Sequence, residues 1–96
     1  MRAALALALA LLPAQALAQQ RADVNIINGR QSDVEIVVFD QVCNAAIYRG
    51  HLLREAETTV DCCPDATGRC KLTIEDQTGH RQDFDGVSGT VYLQPR

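Results

Sequence analysis

The sequence has no tryptophan, and its aromatic residues are limited to Phe39, Tyr48, Phe84 and Tyr92. A core with so few large side chains supplies little stabilisation. A domain of this length also buries only about 60% of the surface that its unfolded chain exposes. We therefore expect one small domain that needs further covalent stabilisation.

The sequence also has no surplus of basic residues. Its formal net charge is −3, and its arginines and single lysine are scattered along the chain. Binding to nucleic acid or to an anionic membrane surface requires a clustered basic face. We therefore expect no nucleic-acid partner.

Catalytic and cofactor-binding motifs are missing as well. No Gly-x-Ser-x-Gly nucleophile motif occurs, and His51 and His80 both lie next to glycines in predicted loops. The acidic stretches 83–86 and 64–68 do not match the spacing of a calcium loop, and their glycines are typical of turns. We predict that the protein is not an enzyme and has no cofactor.

The amino-terminal residues have the layout of a secretory signal peptide. Arg2 precedes an apolar run from Ala3 to Leu12, Pro13 follows, and Ala16 and Ala18 are small residues suited to a cleavage site. The apolar run is too short for a membrane span, which needs about twenty residues. We expect a signal peptide at residues 1–18, a single domain at residues 19–96 with no membrane span, and a periplasmic or secreted location.

The remaining sequence predicts short β-strands and no convincing helix. Alternating or β-branched segments separated by turn residues predict six or seven strands, at 24–28, 33–40, 45–49, 57–62, 70–75, 81–84 and 90–93. This pattern favours an all-β fold, a small antiparallel β-sandwich. It resembles an immunoglobulin-like sandwich in general outline, a likeness that implies a fold and no particular function.

Two features of the strand arrangement follow from the pattern. The first strand, Val24–Asn28, is separated by a short polar segment from the second, so we expect the two to pair as a hairpin with the first strand at a sheet edge. Both faces of Asp33–Asp40 carry apolar residues, which predicts a central strand that is covered on two sides.

The four cysteines pose the sharpest question, because three of them fall within Asp61–Cys70. If Glu57–Cys62 and Cys70–Glu75 form a hairpin, placing Cys62 opposite Cys70 brings the apolar faces of both strands together. This register predicts two disulfides, Cys62–Cys70 and Cys43–Cys63. Four cysteines allow three pairings, so the choice stays open at this point.

Other roles for these cysteines are disfavoured by spacing. Structural zinc sites typically contain C-x₂₋₄-C pairs, whereas Cys62 and Cys63 are adjacent and Cys70 lies seven positions beyond Cys63. The C-x-x-C motif of thioredoxin-like proteins is absent. We predict structural disulfides and no metal site.

With no catalytic motif, we expect an accessory module that acts by binding another exported or envelope protein. Tyr48 and Tyr92 are candidate contacts because tyrosine is enriched at interfaces. The alternative for both, in a sequence with so few aromatic residues, is that the rings cover the core with their hydroxyls exposed. Asp65 and Arg69 are candidates because they lie on the tip between Cys63 and Cys70. The alternatives are an inhibitor-like domain that presents the loop Pro64–Arg69, and a periplasmic metal-binding protein. The oligomeric state is not predicted.

Overall fold

The computed structural model describes residues 21–93, so the predicted signal peptide at residues 1–18 lies outside the described residues. Within this range the chain forms seven strands: β1 Ala22–Asn28, β2 Val34–Asp40, β3 Ala45–Leu52, β4 Glu57–Cys62, β5 Cys70–Asp76, β6 Arg81–Val87 and β7 Gly89–Leu93. The number of strands confirms the prediction.

The strands form two packed sheets, which confirms the predicted sandwich. One sheet has the order β4-β1-β7 and the other the order β3-β2-β5-β6. All neighbouring strands are antiparallel except β1 and β7, which run parallel. The outline of two sheets with three and four strands is immunoglobulin-like, but β1 and β2 lie in different sheets, which differs from the constant-type strand order.

Strict alternation along the strands builds the core between the sheets. Every second residue of the central strands points inward, as expected for the period of two in a strand. The buried apolar side chains from the central strands β1, β2 and β5 are Val24, Ile26, Val34, Ile36, Val38, Leu72 and Ile74, and β7 adds Val91 and Leu93.

Three strands end on a polar residue in the inward-facing register. Asn28 ends β1, Asp40 ends β2 and Asp76 ends β5, each two positions after a buried aliphatic residue. Asn28 and Asp40 are 0% exposed and Asp76 is 7% exposed. Because a buried polar group without partners is costly, each of these side chains must be hydrogen-bonded.

Asn28 shows how such a residue connects separate segments. Its Nδ2 donates to the carbonyl oxygens of Ser32, Leu52 and Leu53 at 2.9, 3.1 and 3.2 Å. Its Oδ1 accepts the N–H of Arg30 at 2.9 Å. One amide therefore ties the end of β1 to the β1–β2 loop and to the end of β3.

The predicted β1–β2 hairpin is wrong, because the chain crosses from one sheet to the other between these strands. As a result β1 is not an edge strand; it pairs with β4 on one side and β7 on the other. β2 is central as predicted. Its second face is not covered by another layer, however, since Glu35 is exposed and Val37 and Phe39 are only half-buried.

The two disulfides are the predicted ones, Cys43–Cys63 and Cys62–Cys70. The hairpin used to predict them is wrong: β4 pairs with β1, and β5 pairs with β2 and β6. Cys62–Cys70 therefore links the two sheets through the core. The alternation of apolar residues cannot distinguish a strand paired in the same sheet from a strand that faces it across the core. Both arrangements bring the same inward-pointing side chains together.

The stretch 83–86, expected to form a turn, lies within β6 instead. Pairing with β5 shifts between Cys70 and Lys71, and Gly86 is the extra residue, with φ at +69°. A bulge at a glycine in this conformation bends the strand near its end.

Replacing Asn28 tests the importance of its buried amide. Asn28→Ala leaves three carbonyl groups without their donor, and we expect it to lower the free energy of unfolding by about 2–4 kcal/mol. Urea denaturation measures this change.

The matched control is Asn25→Ala, on the opposite face of the same strand, where the half-buried amide is hydrogen-bonded to the side chains of Glu57 and Thr59. We expect this variant to lose about 1 kcal/mol or less. Equal losses for the two variants would contradict the role assigned to Asn28.

Candidate functional site

The residues predicted to form a site lie in separate places. Asp65 and Arg69 follow β4 at the end of the sandwich where β1 begins, whereas Tyr92 pairs with Ile27 near the opposite end. A strand as long as β1 separates these ends by about 20 Å. The four residues therefore do not form one site.

The Tyr48 side chain packs against the core. It lies opposite Val38 on the inward side of β3 and is half-buried against the core cluster. A Cβ atom at Gly50 would come within 2.5 Å of the Tyr48 hydroxyl, so the ring lies directly over that glycine. This close approach assigns Tyr48 a packing role.

The tip between Cys63 and Cys70 is a tight turn organised by Asp65. Its Oδ1 accepts the N–H and hydroxyl of Thr67 at 2.8 and 2.6 Å and the N–H of Arg69 at 3.1 Å. The hydrogen bond from the Thr67 hydroxyl, followed by those from the backbone, lowers the pKa of Asp65. The Asp65 carboxylate thus accepts hydrogen bonds from within its own turn, while Arg69 is exposed.

The same turn occurs a second time, at Asp76. The segments Asp65–Arg69 and Asp76–His80 share the pattern Asp-x-Thr-Gly-x, and Asp76 Oδ1 accepts from Thr78 and His80 at matching positions. Gly68 and Gly79 have φ angles of +82° and +86°, a conformation that glycine adopts without strain. This short repeat is visible in the sequence but was not among the features predicted from it.

Unlike Asp65, Asp76 is buried and forms an ion pair with Arg30. Burial alone would raise the pKa of Asp76. Hydrogen bonds from Thr78, Arg30 and His80 together outweigh burial, so the pKa lies well below its usual value. The pair holds the β1–β2 loop against the turn after β5.

A depression of about 510 Å³, lined in part by Arg30, lies at the end of the three-stranded sheet where β1 and β7 end. We call it the Tyr92 groove. Its floor is formed by Asn28 and Arg30, and its walls by Ile27, Gly29, Gln31, Arg54, Glu55 and Tyr92. Of these residues only Tyr92 was predicted from the sequence as a contact, because the others converge only through the crossing between the sheets.

The groove combines apolar and charged walls on a fixed frame. Tyr92 is 55% exposed on the edge strand β7, next to the half-buried Ile27. Glu55 has a φ of +65°, and its N–H donates to the Asn28 carbonyl at 3.1 Å. The N–H of Arg54 donates to Asp33, and its guanidinium has no ion-pair partner among residues 21–93. The side chains of Tyr92 and Arg54 are thus available to a ligand.

One group of side chains has the composition of a metal site. Ligand atoms of Asp40, Cys43 and Cys63 lie within 4.8 Å of one another. The two sulfurs are bonded to each other, and no described cysteine is free. In this oxidised state the sulfurs are not thiolates, which are the form that binds metals.

Comparisons with known proteins assign no family. No family model matches the chain, and no curated protein matches it. Among solved structures, a protein from Eubacterium rectale determined by NMR has 18% sequence identity and a TM-score of 0.49, covering 80% of this chain and 82% of its own.

The Arg30–Asp76 pair predicts how stability depends on pH. Because the pKa of Asp76 is lower in the folded state than its value of about 3.9 in an unfolded chain, its stabilising effect is complete above that pH and is lost below it. Asp76→Asn removes the carboxylate that pairs with the buried Arg30, and we expect a loss of about 3–5 kcal/mol at pH 7. Denaturation of both proteins from pH 7 to pH 2 should show the difference shrinking below about pH 4.

Asp65→Asn is the control, because it changes the equivalent carboxylate in the turn that lacks a buried arginine. Its effect at pH 7 should be clearly smaller than that of Asp76→Asn. A constant difference between wild type and Asp76→Asn across this pH range would contradict the assignment.

Proposed function

We propose that this domain is a non-catalytic exported module that binds another exported or envelope protein through the Tyr92 groove. The observation that carries the proposal is the position of Tyr92, a large aromatic residue that is 55% exposed beside a depression of about 510 Å³. Tyrosine is enriched at protein interfaces, where its ring is buried and its hydroxyl keeps a polar partner.

The chemistry of the groove supports a protein partner. Tyrosine and arginine are among the residues that dominate binding energies at interfaces, and Tyr92 and Arg54 face the same depression. Ile27 adds apolar surface, while Glu55 adds a charge of the opposite sign. This mixture of an apolar centre and charged surroundings is typical of a specific protein interface.

The frame beneath the groove supports binding without large rearrangement. Asn28 joins three segments of chain at the floor, and Arg30, which also lines the groove, is paired with the buried Asp76. A site whose backbone is already ordered loses less conformational entropy when a partner binds. β7 also lies at a sheet edge, where a partner strand can be added.

The disulfides support an oxidising location. Both are compatible with an exported protein, because thiols are kept reduced in the cytosol. Among residues 21–93 there is no helix long and apolar enough to cross a membrane. We propose a periplasmic or secreted location on this basis and on the predicted signal peptide.

The inhibitor-like alternative receives less support. Proteases bind inhibitory loops in an extended form, whereas Asp65–Arg69 is folded into a turn closed by hydrogen bonds. The cysteine-ligated metal alternative requires thiolates, and the four sulfurs are in disulfides.

Site-specific photo-crosslinking tests the proposal. A photoreactive phenylalanine analogue placed at position 92, in the protein exported in its native host, should form covalent adducts with a discrete partner after irradiation. Mass spectrometry of the adduct identifies that partner.

The control position is Asp85, which is also exposed and also on an edge strand, β6 of the other sheet. Adducts at position 92 that are absent at position 85, and that diminish when Arg54→Ala is added, are the expected result. No adduct at position 92, or the same adducts at both positions, would contradict binding through the groove.

A further inference from the structure

The two disulfides differ sharply in their access to solvent. Cys62 and Cys70 are both 0% exposed within the core between the sheets. Cys43 is exposed and Cys63 is half-buried, so the second disulfide lies at the surface. We call them the inner and the outer disulfide. An outside thiol can reach only the outer one without unfolding the domain.

Asp40 holds both ends of the outer disulfide through the backbone. Its Oδ1 accepts the N–H groups of Val42 and Cys43 at 2.9 and 3.2 Å, and its Oδ2 accepts the N–H of Cys63 at 2.7 Å. The Asp40 side chain is fully buried, so these bonds are shielded from water. None of them involves a sulfur atom, and breaking the S–S bond therefore leaves the two cysteines facing each other.

The two sulfurs of the outer disulfide are not equivalent. Cys43 is the more exposed residue, which favours attack on its Sγ. Arg21 Nη1 lies 3.8 Å from the Sγ of Cys63, where its positive charge stabilises a thiolate. The Asp40 carboxylate lies within 4.8 Å of both sulfurs, so its negative charge opposes a thiolate at either one, and Arg21 offsets this effect at Cys63. A sulfur that is stabilised as a thiolate is the better leaving group in disulfide exchange.

We propose that the outer disulfide is a thiol–disulfide exchange site at which an exported dithiol protein attacks Cys43 and releases Cys63. In the first step the thiolate of the partner forms a bond to Cys43 Sγ, the Cys43–Cys63 bond breaks, and Cys63 leaves as a thiolate. In the second step the partner's other thiol attacks the mixed disulfide and releases Cys43. The outer disulfide gains two electrons and two protons, and the partner's dithiol becomes a disulfide.

This site does not depend on the Tyr92 groove, which lies at the opposite end of the sandwich. The inner disulfide continues to link the sheets during exchange, and Asp40 keeps the loops in place. The reduced domain should therefore remain folded and reoxidise to the same pairing.

Graded reduction tests selectivity. The oxidised protein is exposed to dithiothreitol without denaturant, quenched with N-ethylmaleimide and mapped by mass spectrometry, while circular dichroism monitors the fold. We expect Cys43 and Cys63 to be alkylated at least tenfold faster than Cys62 and Cys70, with an unchanged spectrum. Parallel loss of both disulfides, or unfolding with the first reduction, would overturn the proposal.

Trapping tests which sulfur is attacked. A reduced thioredoxin whose second active-site cysteine is replaced by serine stops the reaction at the mixed disulfide. We expect at least a tenfold excess of adduct on Cys43 over adduct on Cys63, and a several-fold slower reaction for Arg21→Gln. Arg69→Gln is the matched control, because it removes an exposed guanidinium while the backbone N–H of residue 69 keeps its hydrogen bond to Asp65, and its rate should be unchanged.

Adduct mainly on Cys63, or equal rates for Arg21→Gln and Arg69→Gln, would overturn the assigned direction of attack. Because these readouts involve no binding partner of the groove, their outcome is separate from that of the crosslinking experiment.

Discussion

A polar side chain buried in an apolar core must find hydrogen-bond partners, and this domain uses that requirement to attach its loops. Asn28, Asp40 and Asp76 each end a strand in the inward-facing register, two positions after a buried aliphatic residue. Their partners are backbone groups of the adjoining loops and strand ends and, for Asp76, also the Thr78 hydroxyl and the guanidinium of Arg30. No buried side-chain polar atom among residues 21–93 lacks a partner. In a domain with so small a core, these hydrogen bonds stabilise the loops at the ends of the strands, where there is little apolar packing.

Both proposed activities depend on this constraint. The Tyr92 groove lies over the loops that Asn28 and the Arg30–Asp76 pair hold, so its walls are positioned before a partner arrives. The outer disulfide lies beside Asp40, whose carboxylate accepts hydrogen bonds from the backbone N–H groups of both Cys43 and Cys63. A buried polar residue at a strand end thus supports the proposed binding site at one end of the sandwich and the proposed exchange site at the other.

Much of the fold could be predicted from periodicity, and the site could not. Alternation located the seven strands within a few residues and paired the cysteines correctly, since it determines which side chains point inward. It could not assign strands to sheets, because a strand facing β5 across the core presents the same pattern as a neighbour within its sheet. That error placed β1 at an edge and hid the groove, which forms where β1, β3 and β7 end together. Asn28 and Asp40 fell within the predicted strands, but the apolar pattern gave no indication that their polar side chains are buried.

Amide hydrogen exchange on the native protein tests the central claim directly, because it reports on individual loop N–H groups. The amides of Arg30, Cys63, Thr78 and His80 donate to the three buried side chains, whereas those of Thr67 and Arg69 donate to Asp65 in an equivalent turn at the surface. We predict that the first four are protected nearly as strongly as core strand amides and that the last two exchange much faster. If all six exchange at similar rates, the buried strand-end residues do not hold the loops, and the account is wrong.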